Sequence, residues 1–296
     1  MEYYIFGASK LGSIAFSALK DDYNIIGFLD NNKEKYGGEI CGKKIYNPEV
    51  ILNTQPQVII ASQYYEEIEY QIKAYGIENY KIFKISLEDV CINFSSNSYW
   101  EERYRHGGNS GTGSYNHLAE FKAKVINEFI ELQNINTVCE WGVGDGNQLS
   151  FMKYPSYVGY DISQTAIKMC KELFKTDLSK SFIKYDGNRI SFDNKLKYDL
   201  TISLDVIYHL VEDEIYEVYM ENLFNSSRKY ICIYSTNYNS HHVPHVKDRE
   251  ILSYIFKNNK NWRLINYVEN EFLPGKITQK NLESSNCNFY FFEKIG

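Results

Sequence analysis

The residues whose types and spacing could do chemistry lie first in Val138-Cys139-Glu140-Trp141-Gly142-Val143-Gly144-Asp145-Gly146-Asn147-Gln148-Leu149. A short apolar run ends in an acid, three glycines alternate with larger residues, and amphipathic sequence resumes. That is the pattern of a buried strand, a tight turn and the start of a helix. Glycine is needed where the backbone takes positive φ and a ligand must approach without a Cβ in the way. A helix start adds unpaired N–H groups and the positive end of the helix dipole. Twenty-one residues after Glu140, the run Tyr157-Val158-Gly159-Tyr160 ends in Asp161. A carboxylate at the tip of the next parallel strand is where a ribose diol would be held.

Two further clusters carry titratable groups. Tyr198 to Leu210 reads as a strand running into a helix, with Asp205 and His209 four apart. They share a helical face if the helix begins that early. Asp205 is then a cap or part of an acceptor pocket, and His209 can equally be a packed surface residue. Residues 235–249 read as a loop holding His241, His242 and His245, half of the six histidines. After the C-terminal end of the strand 228–234, such a loop lies at the ligand edge of a sheet. One reading makes one of these histidines a general base while Lys247 and Arg249 hold an anionic acceptor. The others are a solvated loop or a metal site; the spacing is not that of a zinc finger and no Cys is near, so no metal is expected.

The pattern Glu140-x-Gly142-x-Gly144-x-Gly146 differs from the G-x-G-x-x-G dinucleotide fingerprint. It resembles motif I of the class I S-adenosylmethionine-dependent methyltransferases, with Asp161 in place of the family's ribose acid. The resemblance implies S-adenosyl-L-methionine as cofactor and S-adenosyl-L-homocysteine as product. It implies cofactor contacts from Glu140, Gly142, Gly144, Gly146, Asn147, Asp161, Ile162, Asp186, Gly187 and Leu204. Asp186, after the strand 182–185, matches the acid that accepts from the adenine amino group, though by spacing alone it is as readily a turn residue. Residues 198–210 resemble motif IV of the small-molecule branch. No Asn/Asp-Pro-Pro-aromatic tetrad is present, which argues against methylation of a nucleobase or a glutamine amide.

The elements that must position these groups follow from the patterning. Residues 2–6 form an apolar strand, Gly7-Ala8-Ser9-Lys10-Leu11-Gly12 a turn, and the helical pattern runs through Leu19 to a second strand ending in Asp30. This is another β-turn-α-β unit, with Ser9 where a middle glycine would admit a pyrophosphate. Residues 7–45 resemble the small Rossmann-like domains attached to bacterial glycan-modifying enzymes. The resemblance implies a nucleotide or nucleotide-sugar held by Gly7, Ser9, Lys10, Gly12 and Asp30; a purely scaffolding unit is the equal alternative. Residues 93–98 are polar and mark a linker. The stretch 99–115, rich in Gly and small hydroxyl residues, reads as a mobile loop. It is either an inert connection or a lid over the cofactor's methionine end and the acceptor, with Arg103, Tyr104 and Tyr115 as anchors and Tyr208 also facing the acceptor. It resembles the segment before motif I in methyltransferases of capsule and surface-glycan clusters.

The expected architecture is therefore α/β, with two Rossmann-like domains. Residues 1–93 form the small one, 94–117 a linker and Gly-rich lid, and 118–296 a class I methyltransferase fold with a mostly parallel sheet and an antiparallel last strand. A length of 296 residues accommodates two domains, and a hydrophobic fraction of 44% fills their cores. No run approaches the ~20 apolar residues of a membrane span. The N-terminus lacks a basic leader and goes straight into a strand. The six cysteines are scattered, as expected of buried thiols in a reducing cytoplasm. A net charge of −6 without a Lys/Arg block disfavours a nucleic-acid partner, including a tRNA or rRNA acceptor. The expected function is methyl transfer to a hydroxyl or amine of a small, anionic acceptor in surface-glycan assembly. A non-catalytic nucleotide-binding protein on the same scaffold is the alternative, and the intact acids Glu140, Asp161 and Asp186 speak against it.

Overall fold

A computed structural model describes residues 1–52, 54, 56–62, 64–83, 94–193, 197–277 and 282–295. The chain divides into two compact units, Met1–Ser86 and Leu87–Gly296; the expected boundary at residue 93 lies outside the described residues.

The first unit runs β1 (Glu2–Phe6), α1 (Lys10–Leu19), β2 (Asn24–Leu29), β3 (Glu39–Ile40), β4 (Lys43–Tyr46), β5 (Gln57–Ile60), α2 (Tyr65–Ala74) and β6 (Tyr80–Ile82). Its six strands lie in the order β3-β4-β2-β1-β5-β6, parallel except for β3 against β4. Ile5, Phe28 and Ile59 fill one face and Phe6, Leu29 and Ile60 the other, the continuous burial that parallel strands require. Asp30 closes the turn after β1, its Oδ2 accepting from the Ala8 N–H at 3.0 Å and from Lys35 Nζ at 2.9 Å. A Cβ on Gly7 (φ +125°) would lie 2.3 Å from the Ala61 carbonyl oxygen, and one on Gly12 1.9 Å from that of Gly7. Both glycines are thus required by the chain's own packing.

The second unit runs α3 (Ser96–Arg105), α4 (Asn116–Gln133), β7 (Thr137–Trp141), β8 (Ser156–Asp161), α5 (Gln164–Leu173), β9 (Lys180–Lys184), β10 (Tyr198–Leu204), α6 (Asp213–Asn225), β11 (Ser227–Ser235), β12 (Ser240–Val243), β13 (Val246–Asp248), α7 (Ile251–Asn258), β14 (Trp262–Val268) and β15 (Asn288–Lys294). The seven-stranded sheet has the order β14-β15-β11-β10-β7-β8-β9, with β7 to β11 parallel and β15 antiparallel to both neighbours. The α/β class, the mostly parallel sheet and the antiparallel C-terminal strand agree with the sequence reading. The chain leaves β7 toward β8 on one side and returns to β10 on the other, which opens a crevice beyond the strand ends.

Three local expectations need correction. Residues 96–105 are helical rather than part of a loop: Ser95 Oγ caps α3 by accepting from the Ser98 N–H at 3.3 Å, and the glycines begin only after its end. Residues 240–248 are not a loop but the antiparallel pair β12–β13. Asp205 and His209 do not share a helical face, because Asp205 has φ +58° and only a single turn, Ile207–His209, follows before α6.

Candidate functional site

A cleft opens beyond the C-terminal ends of β7, β8 and β10, the edge at which open α/β sheets hold ligands. β7 brings in Glu140 and the glycine turn, with φ +85°, +62° and +84° at Gly142, Gly144 and Gly146. A Cβ on Gly142 would come within 2.4 Å of Val206 Cγ2, and one on Gly144 within 2.3 Å of Ser110 Oγ. β8 ends at Asp161, whose Oδ2 accepts from the Gly144 N–H and Oδ1 from the Ser163 N–H, each at 2.8 Å. Ser163 in turn caps α5 through the Ala166 N–H, as the sequence predicts.

The electrostatics of the cleft follow from burial. Desolvation raises the Asp161 carboxyl to about 6 despite three backbone N–H donors, and no cation pairs with it among the described residues. Burial likewise raises Glu140 to about 7, against the Tyr157 hydroxyl that donates to its Oε2 at 2.6 Å. Gln148 lines the same cleft, and its buried Oε1 has no hydrogen-bond partner among the described residues. Two strained carboxyls and an orphaned carbonyl oxygen suit a ligand that brings hydroxyl donors and positive charge.

Helix α3 and the turn behind it roof the cleft. Ser96 Oγ donates to the His209 carbonyl at 2.9 Å, and the Ser96 N–H reaches Glu212 Oε1 at 2.9 Å. Glu101 accepts from the Ser163 and Thr165 hydroxyls at 2.6 and 2.7 Å, bonds that hold it down at about 2. The Ser110 N–H and the Tyr115 hydroxyl both donate to Asp145 Oδ2 at 2.8 Å. Asn147 Nδ2 donates to the Ser114 carbonyl at 2.7 Å. Tyr104 sits buried on Ser110 at 3.0 Å and lines the cleft. Ile162 and Leu204 line it as well.

His209 lines this cleft too. Its ring is enclosed by Trp100 at 4.9 Å and Tyr208 at 4.4 Å, with His245 stacked parallel at 6.1 Å. That enclosure lowers its pKa to about 4. Nδ1 lies 2.9 Å from the His245 carbonyl oxygen. A carbonyl only accepts, so Nδ1 carries the proton and Nε2 the free lone pair. The sequence offered no signal for this role beyond the distance from Asp205.

A second cleft of about 590 Å³ lies beyond β10 and β11. Asp205 belongs to the lining of both clefts. Its Oδ2 pairs with Lys122 Nζ at 2.5 Å, the two side chains 9% and 0% exposed, and its Oδ1 accepts from the Tyr208 hydroxyl at 3.0 Å. The Gly-rich turn straddles the partition, with Ser114 facing the first cleft and Thr112 and Gly113 the second.

Other expected site residues are placed elsewhere. Lys247 and Arg249 both bond Asp213 Oδ1 at 2.7 Å, and Arg249 also caps the Leu210 and Val211 carbonyls. They line neither cleft. Arg103 donates to the Asn109 carbonyl at 2.6 Å and lies over Trp100, so it pins the roof rather than facing a ligand. His241 sits in β12 opposite Lys247; the side chain of His242 lies outside the described groups. The His245 ring stacks on Tyr99 at 5.1 Å, and its carbonyl oxygen lies 2.9 Å from His209 Nδ1. Asp186 is exposed and turns back to the Asn188 N–H at 3.2 Å. Beside it, a Cβ on Gly187 (φ +84°) would meet Asn97 and Ile162 at 3.5 and 3.7 Å.

Comparison with known proteins agrees with this geometry. Residues 139–222 match a family model described as a methyltransferase domain, and residues 2–83 one described as C2185-like, N-terminal. No curated protein sequence matches the chain. The solved structure of N-methyltransferase NodS from Bradyrhizobium japonicum WM9 in complex with S-adenosyl-L-homocysteine superposes with a TM-score of 0.51 at 13% identity, over 68% of this chain and 99% of its own. Magnesium protoporphyrin IX methyltransferase from Synechocystis PCC 6803 with bound S-adenosylmethionine gives 0.48 at 12% identity, over 68% and 98%. At such identities the likeness to NodS is one of fold.

Proposed function

We propose that this chain, an S-adenosylmethionine-dependent methyltransferase in its C-terminal unit, transfers the methyl group to a hydroxyl or amine of a small polar acceptor. The observation that carries the reading is the three-glycine turn tied to Asp161 inside a roofed cleft at the switch point of the sheet. When bound, the cofactor supplies a methyl group on a sulfonium, whose positive charge is lost as the methyl leaves. The protein's work is then binding and alignment rather than stabilising a developing anion. Asp161, Glu140 and Gln148 would hold the cofactor through hydroxyl and ammonium donors, and Ile162, Leu204 and Tyr185 would give its flat portion an apolar bed. His209, held neutral by burial with its pKa lowered to about 4, lines the cofactor cleft without adding positive charge beside the sulfonium.

The anionic acceptor expected from the sequence loses its support, because Lys247 and Arg249 are both engaged by Asp213. A setting in cytoplasmic surface-glycan assembly rests on the sequence resemblances of residues 7–45 and 99–115. Among the described residues no helix is long and apolar enough to cross a membrane.

Calorimetric titration of S-adenosylmethionine and S-adenosylhomocysteine into wild type and Asp161→Ala tests the reading. Micromolar binding that weakens by at least about tenfold, ~1.4 kcal/mol, in the variant is expected. Wild type that binds neither would sink it.

A further inference from the structure

We infer that the second cleft receives the methyl acceptor and that its lining selects a neutral or cationic molecule of amino-sugar type over an anion; this rests on the methyltransferase reading above. The cleft meets the cofactor cleft at Asp205, so a molecule seated in it has one end beside the partition that the two share. Among the described residues its charged lining residues are Asp205 and Asp248, with no Lys, Arg or His. Lys122 offsets Asp205 from below. Asp248 has only the Thr236 hydroxyl, at 2.8 Å on Oδ1, and pairs with no cation among the described residues. The cations nearest in sequence, Lys247 and Arg249, are both held by Asp213.

Among the described residues the lining therefore carries one negative charge, that of Asp248, without a paired cation. A phosphate or carboxylate placed there meets like charge at short range, whereas an ammonium supplies the missing partner through a charge-assisted hydrogen bond. The hydroxyls of Tyr208, Thr236 and Ser285 can exchange hydrogen bonds with a polyol, and Leu118 offers an apolar wall to a sugar ring. Asp248 is the recognition group in this scheme. The reacting hydroxyl or amine is a different group of the acceptor, placed toward Asp205.

The test follows S-adenosylhomocysteine formation by the full chain, with D-glucosamine and D-glucosamine 6-phosphate as acceptors, in wild type, Asp248→Asn and Asp248→Lys. Cofactor binding to each protein is measured by calorimetry and also reports that each variant folds. Wild type should favour the unphosphorylated sugar by at least about tenfold in kcat/KM. Asp248→Asn should lose at least about tenfold for it through KM, and Asp248→Lys should invert the preference, with cofactor affinity unchanged. A preference of wild type for the phosphate, indifference to Asp248→Asn, or turnover of neither sugar overturns the inference while the cofactor reading stands. Failure of wild type to bind S-adenosylmethionine overturns both.

Discussion

At the scale of single residues, the partition between the clefts is a buried ion pair. Lys122 is fully enclosed and its ammonium contacts Asp205 from beneath. Removing Lys122 leaves the largely buried Asp205 carboxylate without its counter-charge. Lys122→Met should therefore cost about 3–5 kcal/mol in denaturant unfolding, and Lys122→Met with Asp205→Asn, neutral and tolerant of the positive φ at 205, should recover much of it. A double variant no more stable than the single one would show that Asp205 is not stranded. The cleft carboxyls make a second prediction. Glu140 and Asp161 are raised by burial to about 7 and about 6, so the folded protein binds more protons than the unfolded chain between their ordinary range and those values. Their contribution to stability is present at low pH and is lost as pH rises through that window. His209, lowered to about 4, acts in the opposite sense: its contribution is present above about 6.5 and is lost as pH falls toward 4. Glu140→Gln should flatten the decline between about pH 5 and 7 in a thermal-melt series. Of these residues, the glycines, Glu140 and Asp161 were legible in the sequence because they fall within one strand–turn–helix–strand unit. The partnership of Asp205 with Lys122, 83 positions apart, and the approach of His209 to the cleft were not, because both depend on a left-handed residue at the end of β10.

At the scale of elements, the roof is a helix and a glycine turn fastened to the rest of the unit by side chains. The periodicity of residues 96–105 was obscured by the glycines that follow, so the helix was missed while the covering role of the segment was expected. Gly144 and Ser110 meet so closely that any side chain at 144 must lift the turn. Gly144→Ala, strained at φ +62° and clashing with Ser110, should weaken S-adenosylmethionine binding by at least about tenfold in a calorimetric titration. Gly113 probes the opposite end of the same turn. A Cβ there would lie 2.9 Å from Asp205 Oδ2, with no positive φ to maintain. Gly113→Val should raise the acceptor KM and leave the cofactor Kd within about twofold; equal losses in both would show that the turn does not separate the clefts. The hairpin β12–β13 explains why residues 240–248 do not form the expected loop. Once 240–248 pair as strands, Lys247 and Arg249 meet Asp213, and the cations face α6 instead of a substrate.

At the scale of the whole molecule, the two units repeat one device. The acid at the end of the second strand accepts from a backbone N–H in the turn after the first: Asp30 from Ala8, and Asp161 from Gly144. They differ in what else touches the acid. Lys35 pairs with Asp30, whereas among the described residues no cation pairs with Asp161. The alternation and turn patterns made both sheets readable, since strand and helix periods are local properties of the chain. The different surroundings of the two acids were not readable, because the pairing of Lys35 with Asp30 arises only through folding. The roof has a kinetic consequence. Ser96, Glu101 and Ser110 fasten it to the start of α6, the start of α5 and the glycine turn respectively, so no single broken bond frees it. Release of a spent cofactor past this roof would require these fastenings to open. The first turnover should then outrun the rest, and rapid-quench measurements should show a burst of product of about one equivalent per active site before a slower steady rate set by departure. Glu101→Gln, which weakens one fastening, should shrink that burst and raise the steady rate.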